Sequence, residues 1–99
     1  MSDTSNSVSA TLSAEDTWTA DGKKFTNDLR YKFESNSFVG TATIQARFLS
    51  SQDWSDIGSV TGDFIDYDLL PGSWEVRVGI KTGDYTSGSI DAYIDGERG

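Results

Sequence analysis

Cysteine and histidine are both absent from this sequence of 99 residues. The lack of cysteine excludes disulfides and thiolate metal sites. The lack of histidine removes the commonest general base and metal ligand, and with it the familiar nucleophile–base pairs of hydrolases. No apolar run approaches the roughly 20 residues that span a bilayer, and no secretory signal pattern follows Met1.

Carboxylates remain available for catalysis, because the chain has sixteen acidic residues. Two of them could hydrolyse a glycosidic bond, but a domain of this size has little interior to form the cleft that a sugar needs. We therefore expect a non-enzymatic protein with no catalytic residues.

The charge is strongly negative and unevenly distributed. The net charge of −8 argues against nucleic acid or an anionic membrane as a partner. Half of the basic residues lie within residues 23–32, whereas residues 49–75 contain six acidic residues and no Lys or Arg. Two interpretations are open: solvated faces of separate strands, or a basic face that binds the acidic face of a neighbouring copy.

Apolar residues alternate with polar ones along most of the chain, which predicts half-buried β-strands. The clearest cases are residues 29–33 and 74–80. Residues 70–72 (Leu-Pro-Gly) predict a turn, residues 82–88 predict a hairpin loop, and only residues 13–16 could form a brief helical turn. The pattern predicts a single antiparallel β-sandwich, jelly-roll or immunoglobulin-like, of about seven to eight short strands over residues 8–95, with flexible tails at 1–7 and 96–99.

Aromatic residues must supply much of the core, because aliphatic residues are few. Twelve are available: Trp18, Phe25, Tyr31, Phe33, Phe38, Phe48, Trp54, Phe64, Tyr67, Trp74, Tyr85 and Tyr93. Trp74 shares a strand face with Val76 and Val78 and is expected in the core. Trp18 and Trp54 lie outside the clearest alternating segments, so they either pack internally or stack on a sugar ring.

Tyr85 is expected near the tip of the polar hairpin loop, next to Asp84. A tyrosine in that position either offers contact area to a partner protein or folds back over the end of the sheet. Both interpretations remain open.

Calcium is the main metal candidate, since it binds carboxylate and carbonyl oxygens. Asp63, Asp66 and Asp68 are close in sequence, and Asp84 lies in a glycine-bounded loop. No EF-hand spacing occurs, however, and aspartates two residues apart on a strand are typical of a solvated face. We expect no cofactor.

Three segments resemble a set of small proteins encoded by tailed bacteriophages: FVGTATIQ at residues 38–45, DWSDI at 53–57 and WEVRVGIKTGDYTSGS at 74–89. The third is the most specific. The glycine-rich turn often found in the middle of those proteins is replaced here by SSQDW at residues 50–54. The resemblance implies a structural protein of the virion, made in the host cytoplasm, and brings with it no known binding residues.

Together these observations predict a phage structural accessory protein, in the capsid, neck or tail, that binds copies of itself and other phage structural proteins. The candidate interface residues are Lys23, Lys24, Asp63, Asp66, Asp84 and Tyr85. The alternative is a carbohydrate-binding module for a cell-surface polysaccharide, with Trp18 and Trp54 as the sugar-stacking residues.

Overall fold

The computed structural model describes residues 5–19, 24–48 and 51–98, and these residues form an all-β fold. The seven strands are β1 (Ser5–Leu12), β2 (Thr17–Trp18), β3 (Lys24–Gly40), β4 (Ala42–Arg47), β5 (Ser55–Val60), β6 (Phe64–Ile80) and β7 (Tyr85–Arg98). The described ranges contain no helix long and apolar enough to cross a membrane. The all-β prediction and the approximate number of strands are confirmed.

All pairings are antiparallel, and the strand order is β1-β7-β3-β6-β4-β5, with β2 also paired to β6. Hydrogen bonding thus forms one continuous sheet where the sequence predicted a sandwich. The predicted tail boundaries were wrong in part, because Ser5 pairs with Glu97 and Asn6 pairs with Gly96. Residues 5–7 therefore belong to β1 and residues 96–98 to β7, where Arg98 pairs with Phe25 on β3.

Strand β6 connects two halves of the sheet. Its first part pairs with β3, from Phe64 opposite Phe33 to Glu75 opposite Lys24. Its last part pairs with β4, from Glu75 opposite Arg47 to Gly79 opposite Thr43. We call these the β3 half and the β4 half.

The predicted turn at residues 70–72 is instead a bulge inside β6. The β3–β6 register passes from Thr26 opposite Ser73 to Asn27 opposite Leu70, so Pro71 and Gly72 have no partner on β3. Proline cannot donate a ladder hydrogen bond, and Gly72 adopts a φ of 102° that disfavours other residues. A bulge bends a strand without ending it, which lets one strand serve both halves.

One hydrophobic core lies on the inner face of the sheet and draws on strands from both halves. Alternation places its members correctly in β3, β4 and the last parts of β6 and β7. The buried apolar residues are Val8, Leu12, Phe25, Leu29, Tyr31, Phe33, Phe38, Ala42, Ile44, Ala46, Val60, Val76, Val78, Ile80, Ile90, Ala92 and Ile94. Because several are fully inaccessible and no helix is available in the described residues to cover them, the sheet curls over its own inner face.

Four aromatic residues expected in the core are exposed instead: Phe48, Phe64, Tyr67 and Tyr93. Trp74 is only partly buried, and its ring stacks on Phe48 with centroids 3.9 Å apart. Burial depends on which strand faces the curled sheet covers, and these side chains lie on faces that it leaves open.

Residues 13–16 form a turn, in which the Asp16 amide donates to the carbonyl of Ile80 at 2.7 Å.

Candidate protein-binding surface

The first part of β6 is exposed on both faces. Every side chain described between residues 64 and 69 is exposed, although one face of an antiparallel strand normally packs on a core. Ile65, Tyr67 and Leu69 alternate along the outer face and are 77%, 66% and 67% exposed. We call these three residues the apolar strip.

The apolar strip borders a groove of about 790 Å³ that crosses the outer face of the β3 half. Arg30 lies opposite Tyr67 and Lys32 opposite Ile65 on β6, and Lys32 also lies opposite Tyr93 on β7. Residues opposite each other on neighbouring strands share a face. The groove therefore has charged residues of β3 at its floor, Arg30 and Lys32 together with Asp28, between apolar side chains on β6 and β7.

The ion pairs in this region are solvent-exposed. Arg30 donates to Asp95 at 2.9 Å, and the Lys32 ammonium lies 3.3 Å from Glu34. Exposed pairs of this kind contribute at most about 1 kcal/mol each, so a partner can reorganise them at little cost. The groove can thus present Arg30 and Lys32 to a ligand as well as apolar area.

The basic and acidic segments of the sequence lie side by side in one chain. Strand β3 carries Arg30 and Lys32, and it pairs with the part of β6 that carries Asp66. They are thus neighbouring strands of one sheet, with Arg30 and Lys32 on the outer face and Asp66, opposite the buried Tyr31, on the other face. Lys24 is half-buried opposite Glu75, and Lys23 lies outside the described residues.

Asp63 and Asp66 accept hydrogen bonds from nearby backbone. Asp63 accepts from the Ser35 amide at 2.6 Å, and Asp66 accepts from the Tyr67 amide at 2.8 Å. Within the described ranges no group of three or more acidic side chains is arranged to hold a metal ion. The aspartates therefore fix the backbone at the start of β6 and just before it.

The predicted hairpin loop is shorter than expected, because β7 already begins at Tyr85. The Tyr85 ring packs against the core and lies 6.5 Å from the Phe38 ring, and its hydroxyl donates to the carbonyl of Gly88 at 3.0 Å. Asp84 is half-buried, and its carbonyl accepts from the Thr41 amide at 2.9 Å. Placing Tyr85 at the tip was wrong: it folds back over the end of the sheet.

Trp18 and Trp54 pack against arginines on the outer face of the β4 half. The Arg77 guanidinium lies 4.1 Å from the Trp18 ring centroid and 4.4 Å from that of Trp54. The Arg47 guanidinium lies 4.1 Å from the Trp54 centroid. Such cation–π contacts contribute roughly 0.5–2 kcal/mol each. Both indoles are half-buried, so less of each ring is available for the predicted sugar stacking.

Polar contacts fix these arginines in place. Arg47 donates to the buried carboxylate of Glu75 at 2.5 Å, and Arg77 donates to Gln45 at 2.9 Å. Gln45 in turn donates to Asp56 at 2.8 Å, and Lys81 also binds Asp56. Hydrogen bonds from Lys81 and Gln45 lower the pKa of Asp56. This network is structural: it holds β4, β5 and β6 in register.

We predict that Asp56→Asn lowers the free energy of unfolding at neutral pH by at most about 1 kcal/mol, because this ion pair is exposed. The pKa of Asp56 is lower in the folded protein, so its stabilising effect is complete above the unfolded-state pKa and is lost as the pH falls through the folded-state pKa. Urea unfolding of both proteins at about pH 7 and about pH 2.5 should show a smaller difference at the lower pH. Asp53→Asn, in an exposed loop, is the control. An unchanged difference at both pH values would contradict the prediction.

The apolar strip was missed by sequence reasoning, which took Asp66 and Asp68 as the solvated positions and Tyr67 as core. One signal was available: residues 49–75 carry many acidic residues and no Lys or Arg, which sets this stretch apart from the other strands. No protein-family model, curated protein or solved structure matches the chain.

Proposed function

We propose that this chain is a non-enzymatic structural accessory protein of a tailed bacteriophage, which acts by binding other proteins of the virion. The observation that carries the binding role is the apolar strip. Three large side chains at least 66% exposed form an apolar surface on the first part of β6, where every described side chain from residue 64 to residue 69 is exposed. Surfaces of this kind are typical of protein–protein interfaces.

The composition of the groove also favours a protein ligand. Tyrosine and arginine are enriched in the cores of protein interfaces, and Tyr67, Tyr93 and Arg30 line this groove. A tyrosine contributes a large contact area and loses few rotamers on binding. A partner that covers the groove would gain apolar burial at its sides and hydrogen bonds at its floor.

The phage assignment rests on the three segments that resemble phage proteins. They lie in the framework of the fold: residues 38–45 reach β4, and residues 74–89 include the part of β6 that pairs with it, with Ile44 opposite Val78. The apolar strip lies outside all three segments. The resemblance therefore concerns the scaffold, and the strip is the part of this chain that would select its own partner.

Mass spectrometry of purified particles of a phage that encodes this chain tests the proposal. We expect the chain at a fixed ratio to a major structural protein. The triple variant Ile65→Ser, Tyr67→Ser, Leu69→Ser should be lost from particles while its far-ultraviolet circular dichroism is unchanged. Ile57→Ser, an exposed apolar residue on β5, is the matched control and should be retained. Absence of the wild-type chain from particles would overturn the proposal.

A further inference from the structure

The first part of β6 has one unpaired edge. Glu75 pairs with Lys24 on β3 and with Arg47 on β4, so these two strands lie on opposite edges of β6. β3 continues along its edge to Phe64, whereas β4 extends from Glu75 only toward Gly79. Among the described residues, no strand pairs with the second edge of β6 from residue 64 to residue 70, and within this segment the Asp66 carboxylate accepts from the Tyr67 amide.

This edge differs from most natural edges in how it is protected. Edge strands are usually short, covered, or protected by charged residues, proline or bulges, because their free N–H and C=O groups can pair with another chain; here the protection is limited to the aspartates and the bulge at Pro71. The segment of β6 before Pro71 has seven residues, longer than a typical strand of about five to six. It carries no lysine, and its described side chains are exposed on both faces.

The charge of the segment indicates what binds there. Residues 63–68 contain three aspartates and no basic residue. Pairing two copies along this edge would bring six aspartates together between molecules that each carry a net charge of −8, and like charges on adjacent strands are destabilising. A strand with basic residues would instead be attracted to this edge, because its cations would lie next to the aspartates of β6.

We propose that the free edge of β6 binds an extended segment of a partner protein, in which basic and apolar residues alternate, as an additional strand of the sheet. The proposal deepens the proposed function, on which it rests. Backbone hydrogen bonds to β6 supply affinity, as in other cases of strand addition. The apolar residues of the segment extend the apolar strip on the outer face, and its basic residues lie beside Asp66 and its neighbours on the other face.

Hydrogen–deuterium exchange with a synthetic peptide tests the inference. The probe is an acetylated and amidated octapeptide of alternating lysine and valine, added at up to millimolar concentration to the full chain. We expect slower exchange of amides within residues 64–70. A glutamate–valine peptide should give no protection. Two further lysine–valine peptides carry N-methyl groups on alternate residues, one on the backbone edge that faces β6 and the other on the opposite edge. Only the first should fail to bind, because its methyl groups replace the N–H groups that would pair with β6.

Two variants test the role of charge. Asp66→Lys replaces an attraction with a repulsion and should weaken binding of the lysine–valine peptide about tenfold at low salt. Asp53→Lys, which makes the same charge change in a loop outside β6, should leave the affinity within about twofold. Equal weakening by both variants would indicate non-specific attraction and overturn the inference.

The remaining outcomes are also decisive. Peptide binding without protection of residues 64–70, or no binding at millimolar peptide, would overturn the edge assignment. Association of the chain with itself through these same amides would overturn the choice of a basic partner. These results are independent of the particle test. If the chain is present in virions but the peptide does not protect the β6 amides, the proposed function stands and this inference is overturned.

Discussion

Replacing Phe33 with alanine should lower the free energy of unfolding by about 3–5 kcal/mol. The Phe33 side chain is 1% exposed, between Phe64 on β6 and Ala92 on β7. Its removal loses the free energy of burying the ring and leaves a cavity that backbones fixed by hydrogen bonds on both edges cannot close. For a domain with a typical stability of about 5–15 kcal/mol, this is a large fraction of the total.

Urea unfolding followed by tryptophan fluorescence measures this loss, because the chain has three tryptophans. Phe64→Ala is the matched control: the same ring is removed 6.4 Å away, from a residue that is 39% exposed. We expect it to cost about 1 kcal/mol or less, in keeping with its exposure. Equal losses for the two variants would show that the inner face at β3 is not the centre of the core.

Glu75→Ala should lower the free energy of unfolding by about 3–5 kcal/mol, because it leaves Arg47 with a buried charge that has lost its carboxylate. The Glu75 and Arg47 side chains are 4% and 15% exposed, and their atoms lie 2.5 Å apart. Arg47 also packs on Trp54, so a displaced guanidinium disturbs the outer face of the β4 half. A red shift of the tryptophan emission should accompany the loss of stability.

Two further variants separate burial from charge. The double variant Arg47→Met, Glu75→Leu removes both charges and should recover most of the stability lost in Glu75→Ala. Arg30→Ala breaks a pair with Asp95 whose side chains are 62% and 47% exposed, and we expect it to cost at most about 1 kcal/mol. If Arg30→Ala cost as much as Glu75→Ala, burial would not be what distinguishes the two pairs.

Local patterns in the sequence predict much of this fold because alternation acts over a few residues. In β3, Leu29, Tyr31 and Phe33 are buried while Arg30 and Lys32 are exposed, as period two requires. The same holds near the end of β7, where Ile90, Ala92 and Ile94 form part of the core. In each case both neighbouring strands are present and the sheet covers one face, so the local pattern and the tertiary environment agree.

The candidate site depends on long-range contacts that no local pattern contains. Ile65 and Tyr67 alternate with aspartates as a half-buried strand would, yet both are exposed because nothing in the described chain covers this part of β6. The bulge at Pro71 was interpreted as a turn for a related reason. A Pro-Gly pair is found both where a hairpin strand ends and where a longer strand bends, and only the pairing of β6 with both β3 and β4 shows that the strand continues here. The contact of Arg77 with Trp18 and Trp54 joins three separate strand regions and had no signal in the sequence.

The pairing of β1 with β7 governs when the sheet can form during protein synthesis. In the part of the chain that the structure describes, strand β1 forms a ladder with β7 alone, from Leu12 opposite Ile90 to Ser5 opposite Glu97. When β1 leaves the ribosome its partner has not been translated, so Val8 and Leu12 stay unprotected until residues 90–97 emerge. Closing so long a loop is entropically costly, and sheets dominated by distant pairings fold in milliseconds to seconds. Completion of the sheet therefore follows translation of β7.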